Sequence, residues 1–297
     1  MEWAGDNESS GVAEAGGNFR VLPTQRPKVL PRLPRGHLGV DQWTPSDVEP
    51  NFHPGGALAP DVLTSNNRTV EQQLSALRFA TPTGTQPQKP TVLGVLVVGK
   101  DALGYVPGAY IQFRRIEGTE LTDAIKDQKE ISGPLPEMLK GLDDVLQAHI
   151  SVATGITSGP IEVRSPDYPL VALQQIGRNA IMHRNYDGTN APIRITWFSD
   201  RIEIQNPGGP FGQVTRENFG RPGITDYRNP HLAEALKNLG YVQRFGVGIA
   251  LANQALNANG NPDLEYEVED AHVLAILSVL EGHSGRSQGS ARSDALF

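Results

Sequence analysis

Hydrophobic residues along this chain fall into two kinds of period, and the clearest lie between residues 170 and 280. In "YPLVALQQIGRNAIMHRNY", Leu173, Ile176, Ala180 and Ile181 form the apolar stripe of a helix that faces a core. Gln175, Asn179 and His183 recur every fourth residue and so stack along one face beside that stripe. In "PIRITWFSDRIEIQNPGG" the period changes to two. Ile193, Ile195 and Trp197 alternate, a Ser-Asp turn follows, and Ile202 and Ile204 alternate again, which predicts a hairpin. "NPHLAEALKNLG" is punctuated as a helix, with Asn229 as cap, Pro230 in first position and Gly240 just past the end. "FGVGIALANQAL" predicts a helix opened by two glycines, and "LEYEVED" and "HVLAILSVL" a closing pair of strands.

The earlier chain is less regular. Residues 1–68 are dense in Pro, Gly, Asn and Asp and read as a loop-rich segment. "TVEQQLSALRF" carries a capping box, Thr69 with Gln72, and an apolar face of Val70, Leu74 and Leu77. "TPTGTQPQKPT" is a linker or long turn. "VLGVLVVG" and "AYIQFRRI" predict two strands, the first buried because it is almost wholly apolar. "GPLPEMLKGLDDVLQAHI" predicts an amphipathic helix with Leu135, Met138, Leu142, Val145, Leu146 and Ile150 on one side. The last residues, 282–297, are small and polar and are expected to be disordered. No internal repeat is found.

Composition narrows the function classes. The 297 residues suffice for one large domain or two ordinary ones. A formal net charge of −7 argues against unaided non-specific binding to nucleic acid or anionic membranes. The absence of cysteine excludes disulfides, thiolate metal sites and a Cys nucleophile. No apolar run approaches the roughly 20 residues of a membrane span, and "MEWAGDNESSG" has no signal-peptide pattern. The expectation is a soluble cytoplasmic protein.

One motif misleads. Gly94 to Lys100, "GVLVVGK", satisfies the phosphate-loop pattern G-x-x-x-x-G-K, but Asp101 stands where Ser or Thr should bind Mg²⁺. Its four intervening residues are apolar and suit a buried strand, not a loop of free amides. Three other features carry chemistry. The carboxamide oxygen of Asn179 is a hard ligand suited to Mg²⁺, although an isolated Asn more often pins a loop. "NPGG", Asn206 to Gly209, brings glycines to a strand end where a ligand can approach the backbone; a plain turn reads equally well. "RFGVGIALA" puts Gly246 and Gly248 at a helix start, where free amides and the dipole favour phosphate.

In this order, the three resemble the N, G1 and G2 boxes of the GHKL ATPases: gyrase, the MutL repair protein, histidine kinases and the heat-shock chaperone. "RNAIMHRNY", "RIEIQNPGGPFG" and "YRNPHLAEALKNLGYVQRFGVGI" resemble one branch more closely. These are ATP-binding proteins with a Schlafen/AlbA-type N-terminal domain, known as RecG-like proteins or transcriptional regulators. With "GVLVVGKDALGYVPGAYIQFRRIEGTE" the resemblance covers roughly residues 60–280. It implies an α/β fold, a GHKL (Bergerat-type) two-layer sandwich over 156–281, preceded by a smaller α/β segment over 69–155. By position, Asn179 would hold Mg²⁺, and Asn206 would stand where the adenine-reading Asp usually is. Gly208 and Gly209 would line the adenine pocket, and Gly246 and Gly248 would meet the phosphates. The lid between would include Arg228 and Asn229. His183 and Arg184 follow the branch's "HR" pattern, with phosphate contact, helix packing and a salt bridge all open.

Two departures shape the functional expectation. The family's general base, a Glu four residues before the Asn, is Gln175 here. An amide can orient water but cannot deprotonate it, so catalytic residues reduce to none and hydrolysis should be slow unless another carboxylate, such as Asp187 or Glu162, substitutes. No Schlafen/AlbA-type segment is recognisable ahead of the matched region, so DNA binding is inherited by resemblance alone. The expected partners are ATP and Mg²⁺, with a homodimer left open and no membrane. The expected function is an ATP-binding regulatory module with weak or no hydrolysis, against a protein-interaction module with a vestigial pocket.

Overall fold

The computed structural model describes residues 69–81, 89–155, 163–221, 223–242 and 246–280. The loop-rich segment expected over 1–68, most of the linker, Glu162 and the polar tail lie outside the described residues. In chain order the helices are α1 (Val70–Ala76), α2 (Val92–Val98), α3 (Ala102–Tyr105), α4 (Leu135–His149), α5 (Leu170–His183), α6 (Pro230–Asn238) and α7 (Gly248–Asn259). The strands are β1 (Ile111–Ile116), β2 (Ile125–Ile131), β3 (Val152–Gly155), β4 (Val163–Pro166), β5 (Ile193–Trp197), β6 (Arg201–Pro207), β7 (Glu265–Val268) and β8 (His272–Ser278).

Six strands form one mixed sheet in the order β2-β1-β5-β6-β8-β7, and β3 pairs with β4 in a small second sheet. Only β1 and β5 run parallel within the large sheet, Ile111 to Arg115 against Ile193 to Trp197. Their crossover carries α4 and α5. Strand alternation gives the sheet one wet and one dry face. Ile193, Ile195, Trp197, Ile202, Ile204, Ala275 and Leu277 are buried, whereas Arg194 is exposed and Thr196, Glu203 and Gln205 are partly so. On the dry face, Leu139, Leu142 and Leu146 of α4 and Leu173, Ile176 and Ile181 of α5 complete one continuous core with the sheet. The fold is a two-layer α/β sandwich. No helix of the described residues is long and apolar enough to cross a membrane.

The predicted hairpin forms in register, Ile195 opposite Ile204 and Trp197 opposite Ile202. The capping box at Thr69 and Gln72 is present. One expected element is wrong: "VLGVLVV" is not a strand but the helix α2. Thr91 caps it, its hydroxyl accepting from the Gly94 amide at 3.1 Å. All of its residues but the first are buried, as an all-apolar helix requires. A Cβ on Gly94 would collide with the Phe79 carbonyl, so the glycine marks where α2 packs against that backbone. Residues 69–155, read from the sequence as a segment of their own, contribute β1 and β2 to the same sheet as β5 to β8.

Candidate functional site

Helix α5 divides its faces as its sequence implies. Leu173, Ile176, Gly177, Ala180 and Ile181 are buried. Gln175, Asn179 and His183 line a cavity of about 800 Å³, together with Arg178 between them. Asn206, Gly208, Gly209, Arg228, Gly246 and Gly248 line the same cavity, whereas Arg184, Asp187 and Asn229 do not.

Asn206 reaches the cavity through strand alternation: after Ile202 and Ile204 it is the next inward position of β6, and it is buried. Its Oδ1 is buried without a partner, and no described residue hydrogen-bonds either amide atom. A buried amide left unpaired is costly, and the Tyr266 hydroxyl and the Arg178 and Arg228 Nε atoms of the same lining are likewise buried without a partner. The turn that follows uses its own polar atoms. The Pro207 carbonyl accepts from the Asn185 amide at 2.8 Å, and the Gly208 amide donates to the Ala271 carbonyl at 2.7 Å. Arg228 Nη2 donates to the carbonyls of Gly209 (2.9 Å) and Pro210 (3.4 Å). Gly208 has φ +108°, a conformation that favours glycine, and a Cβ on Gly209 would strike the carbonyl oxygens of Glu269 and Asp270. The close approach needing these glycines is therefore to neighbouring backbone.

The segment 208–229 closes one side. Arg228 also lies over the Phe211 ring, 5.0 Å from its centroid. Both carboxylate oxygens of Asp226 accept backbone amides, from Tyr227 (2.8 Å) and Gln213 (3.2 Å). Asn229 does not cap α6 with its side chain. Its Nδ2 instead donates to the carbonyls of Met182 (2.9 Å) and Arg184 (2.7 Å), closing the C-terminus of α5. His183 stacks on Tyr227 with ring centroids 5.7 Å apart. Burial first, then the Arg228 guanidinium, push its pKa down to about 4, with Asp226 opposing, so the ring is neutral at neutral pH. Arg184 is fully buried and has no carboxylate partner among the described residues. It donates to the carbonyls of Asn185, Thr189 and Ala191 at 2.6–3.2 Å, pinning the loop after α5.

Helix α7 opens at Gly248 with no side-chain cap, and Val247 to Ala250, whose first-turn amides have no intrahelical partner, line the cavity. Gly246 has φ +77°. A Cβ on Gly248 would lie 3.3 Å from Oε1 of Gln175, which places that amide beside the helix start. Arg178 ties the approach to this helix. It donates to Asp143 Oδ2 at 3.1 Å and to the Tyr241 carbonyl at 3.1 Å.

The cavity is poor in carboxylates. Among the described residues Asp226 is the single acidic side chain lining it, and Asp187 is exposed outside it. No group of three or more His, Asp or Glu among the described residues could hold a metal by itself. Asn179 makes no side-chain hydrogen bond to them either, so its oxygen is available as a single hard donor. Arg178, Asp226, Tyr227 and the exposed Arg221 were not anticipated from the sequence. Arg178 immediately precedes Asn179 and Asp226–Tyr227 precede Arg228, but no period separates them from other surface residues.

Residues 190–277 match the HATPase family described as "Putative ATP-dependent DNA helicase recG C-terminal". That stretch holds Asn206 through Gly248 and is similar to an ATPase domain. Among solved structures, the DIP2311 protein from Corynebacterium diphtheriae shares the fold, with a TM-score of 0.61 and 18% identity over 86% of this chain. The chain spans 48% of that protein's length. No curated protein matches the chain significantly.

Proposed function

We propose that the chain is an ATP-binding regulatory module that hydrolyses its nucleotide slowly or not at all. The observation that carries this reading is the buried, unpartnered amide oxygen of Asn206 inside the cavity. It is an acceptor set where the exocyclic amine of adenine can donate to it. The apolar walls beside it, Ile204, Val273 and Ala275, suit the faces of a base. At the other side, the uncapped start of α7 and the Cβ-free Gly248 suit a phosphate, and Arg221 adds positive charge. Asn179 would contribute one oxygen to a Mg²⁺ held mainly by phosphates and water, a coordination that needs no acidic cluster. When bound, that ion would neutralise phosphate charge.

Gln175 can orient a water by accepting or donating a hydrogen bond, but it has no usable proton affinity. Asp226 has both oxygens committed to backbone amides. A cavity with this donor set holds a nucleotide better than it cleaves one. Nucleotide binding would then draw the 208–229 segment closed and alter self-association or attachment to a partner. A link to DNA rests on the description of the matched family alone, and the net charge of −7 does not favour it. Gln175 equally favours a module whose pocket is vestigial, and titration separates the two.

Calorimetric titration with ATP should show saturable binding that strengthens with Mg²⁺. Asn179→Ala should retain binding and lose the Mg²⁺ dependence. A chain that takes up no ATP would be the vestigial module, and an unchanged Mg²⁺ effect in the variant would remove Asn179 from the metal.

A further inference from the structure

We propose that Asn206 makes this cavity a reader of purine nucleotides in general, accepting a base with either a 6-amino or a 6-oxo group. The inference rests on the nucleotide reading above and concerns its base selectivity. A carboxamide carries an acceptor on one arm and two donors on the other. Adenine offers a donor at position 6, whereas hypoxanthine and guanine offer an acceptor there. A half-turn of the Asn206 amide about its terminal bond exchanges its arms and meets either.

Whether the half-turn is available depends on what holds the amide. Here nothing does among the described residues: Oδ1 is buried without a partner, and no hydrogen bond engages the nitrogen. Four polar backbone atoms of the surrounding turn are engaged elsewhere. Its Pro207, Gly209 and Pro210 carbonyls and the Gly208 amide are already bonded to Asn185, Arg228 and Ala271. The strand positions beside Asn206 are apolar, with Val273 directly opposite it and Ala275 opposite Ile204. Those side chains shape the slot without sensing polarity. At this strand end Asn206 is the side chain that can present either polarity to position 6; the Tyr266 hydroxyl, also buried without a partner, belongs to β7, two strands away.

Size decides how visible this is. A site built to pair one polarity leaves a buried group unpaired with the wrong base and rejects it by about 10⁴–10⁵-fold. An amide that can turn leaves nothing unpaired with either, so discrimination falls to about tenfold or less. A carboxylate at this position could only accept, and it would confront a 6-oxo group with a repelling charge.

The test is competitive titration of the 297-residue chain with ATP and inosine triphosphate in the presence of Mg²⁺. The two differ at position 6 and its neighbouring ring proton, and not at position 2. The expected result is inosine triphosphate binding within tenfold of ATP. Asn206→Asp should keep ATP and weaken inosine triphosphate by at least a further tenfold, with a thermal melt confirming that the variant is folded. Wild-type protein that prefers ATP by more than tenfold would overturn the inference and leave ATP binding standing. So would a folded Asn206→Asp variant with an unchanged ratio. Wild-type protein that binds neither nucleotide would remove the nucleotide reading itself. The wild-type ratio is independent of how well the variant folds.

Discussion

Gln175 lies one helical turn before Asn179 on the cavity face of α5, with its Oε1 against the glycine that opens α7. Gln175→Glu would put a carboxylate at that point, and the partial positive charge of the helix start would keep it ionised. Phosphate release should rise by about tenfold or more, within the range of a general base. A folded, ATP-binding but inert variant would mean the cavity is built for binding alone. Brisk wild-type turnover would place a base elsewhere, and Asp187, exposed outside the cavity, is poorly sited for it. His183 supports a second prediction. Its folded pKa of about 4 lies below the ordinary 6.5, so between those values the unfolded chain binds more protons and stability falls as pH falls. The groups facing it are Arg228, Asp226 and the Tyr227 ring. Above pH ~6.5 the contribution is complete; by pH ~4 about 3 kcal/mol is lost. In denaturant titrations across this window, His183→Gln should flatten the acid decline relative to wild type, and parallel curves would sink the assignment. The residues themselves were legible: four-residue spacing placed Gln175, Asn179 and His183 on one face, and period-two alternation pointed Asn206 inward. The bonds they make were not, because the partners of Arg184 and Arg228 are carbonyls, which any residue carries, and the Asp143 partner of Arg178 lies 35 positions away.

Elements show the same division between pattern and context. The hairpin, α5 and α6 were readable because one face of each is wet, which writes a period into the sequence. Helix α2 is buried on nearly every side, and a short all-apolar run fits strand and helix alike; Thr91, its cap, was the missed signal. Strand β2, "IKDQKEI", is an exposed sheet edge whose charges discourage pairing with another chain, so it carries no apolar alternation to find. Asn229 was legible as the residue before Pro230, but its amide serves α5, through chain 45 and 47 positions away. Asn229→Ala would remove two hydrogen bonds and leave the Met182 and Arg184 carbonyls short of donors. The expected loss is about 1–2 kcal/mol. In a thermal melt that is a fall of several degrees, at roughly 2–4 °C per kcal/mol for a chain of this size. Asn229→Asp should cost more, since a carboxylate offers those carbonyls no donor and adds repulsion. Equal melting of Asn229→Asp and wild type would show that the two bonds do not hold α5.

For the whole molecule, the question is whether the ATPase-like stretch is a unit. Residues 190–277 bring the strands β5 to β8 and the glycine-bearing turns, but not α5 with Gln175 and Asn179. Nor do they bring β1, whose residues Ile111 to Arg115 pair with β5 from Ile193 to Trp197. Without β1, β5 becomes an open edge beside the buried side chains of Ile193, Ile195 and Trp197. Without α4, the leucines Leu139, Leu142 and Leu146 no longer cover the core shared with α5. Arg178 on α5 would lose Asp143 on α4, leaving a partly buried guanidinium without its charge partner beside the segment leading to α7. Segments expected from sequence as 69–155 and 156–281 should therefore unfold together. The 297-residue chain should melt in one transition, with far- and near-ultraviolet circular dichroism coinciding. A fragment of residues 156–297 should lack near-ultraviolet signal from Trp197 and expose apolar surface to a hydrophobic dye. Two separated transitions, or a fragment that folds and binds ATP, would instead make the sequence boundary at 155 a true domain boundary and the shared sheet a docked interface.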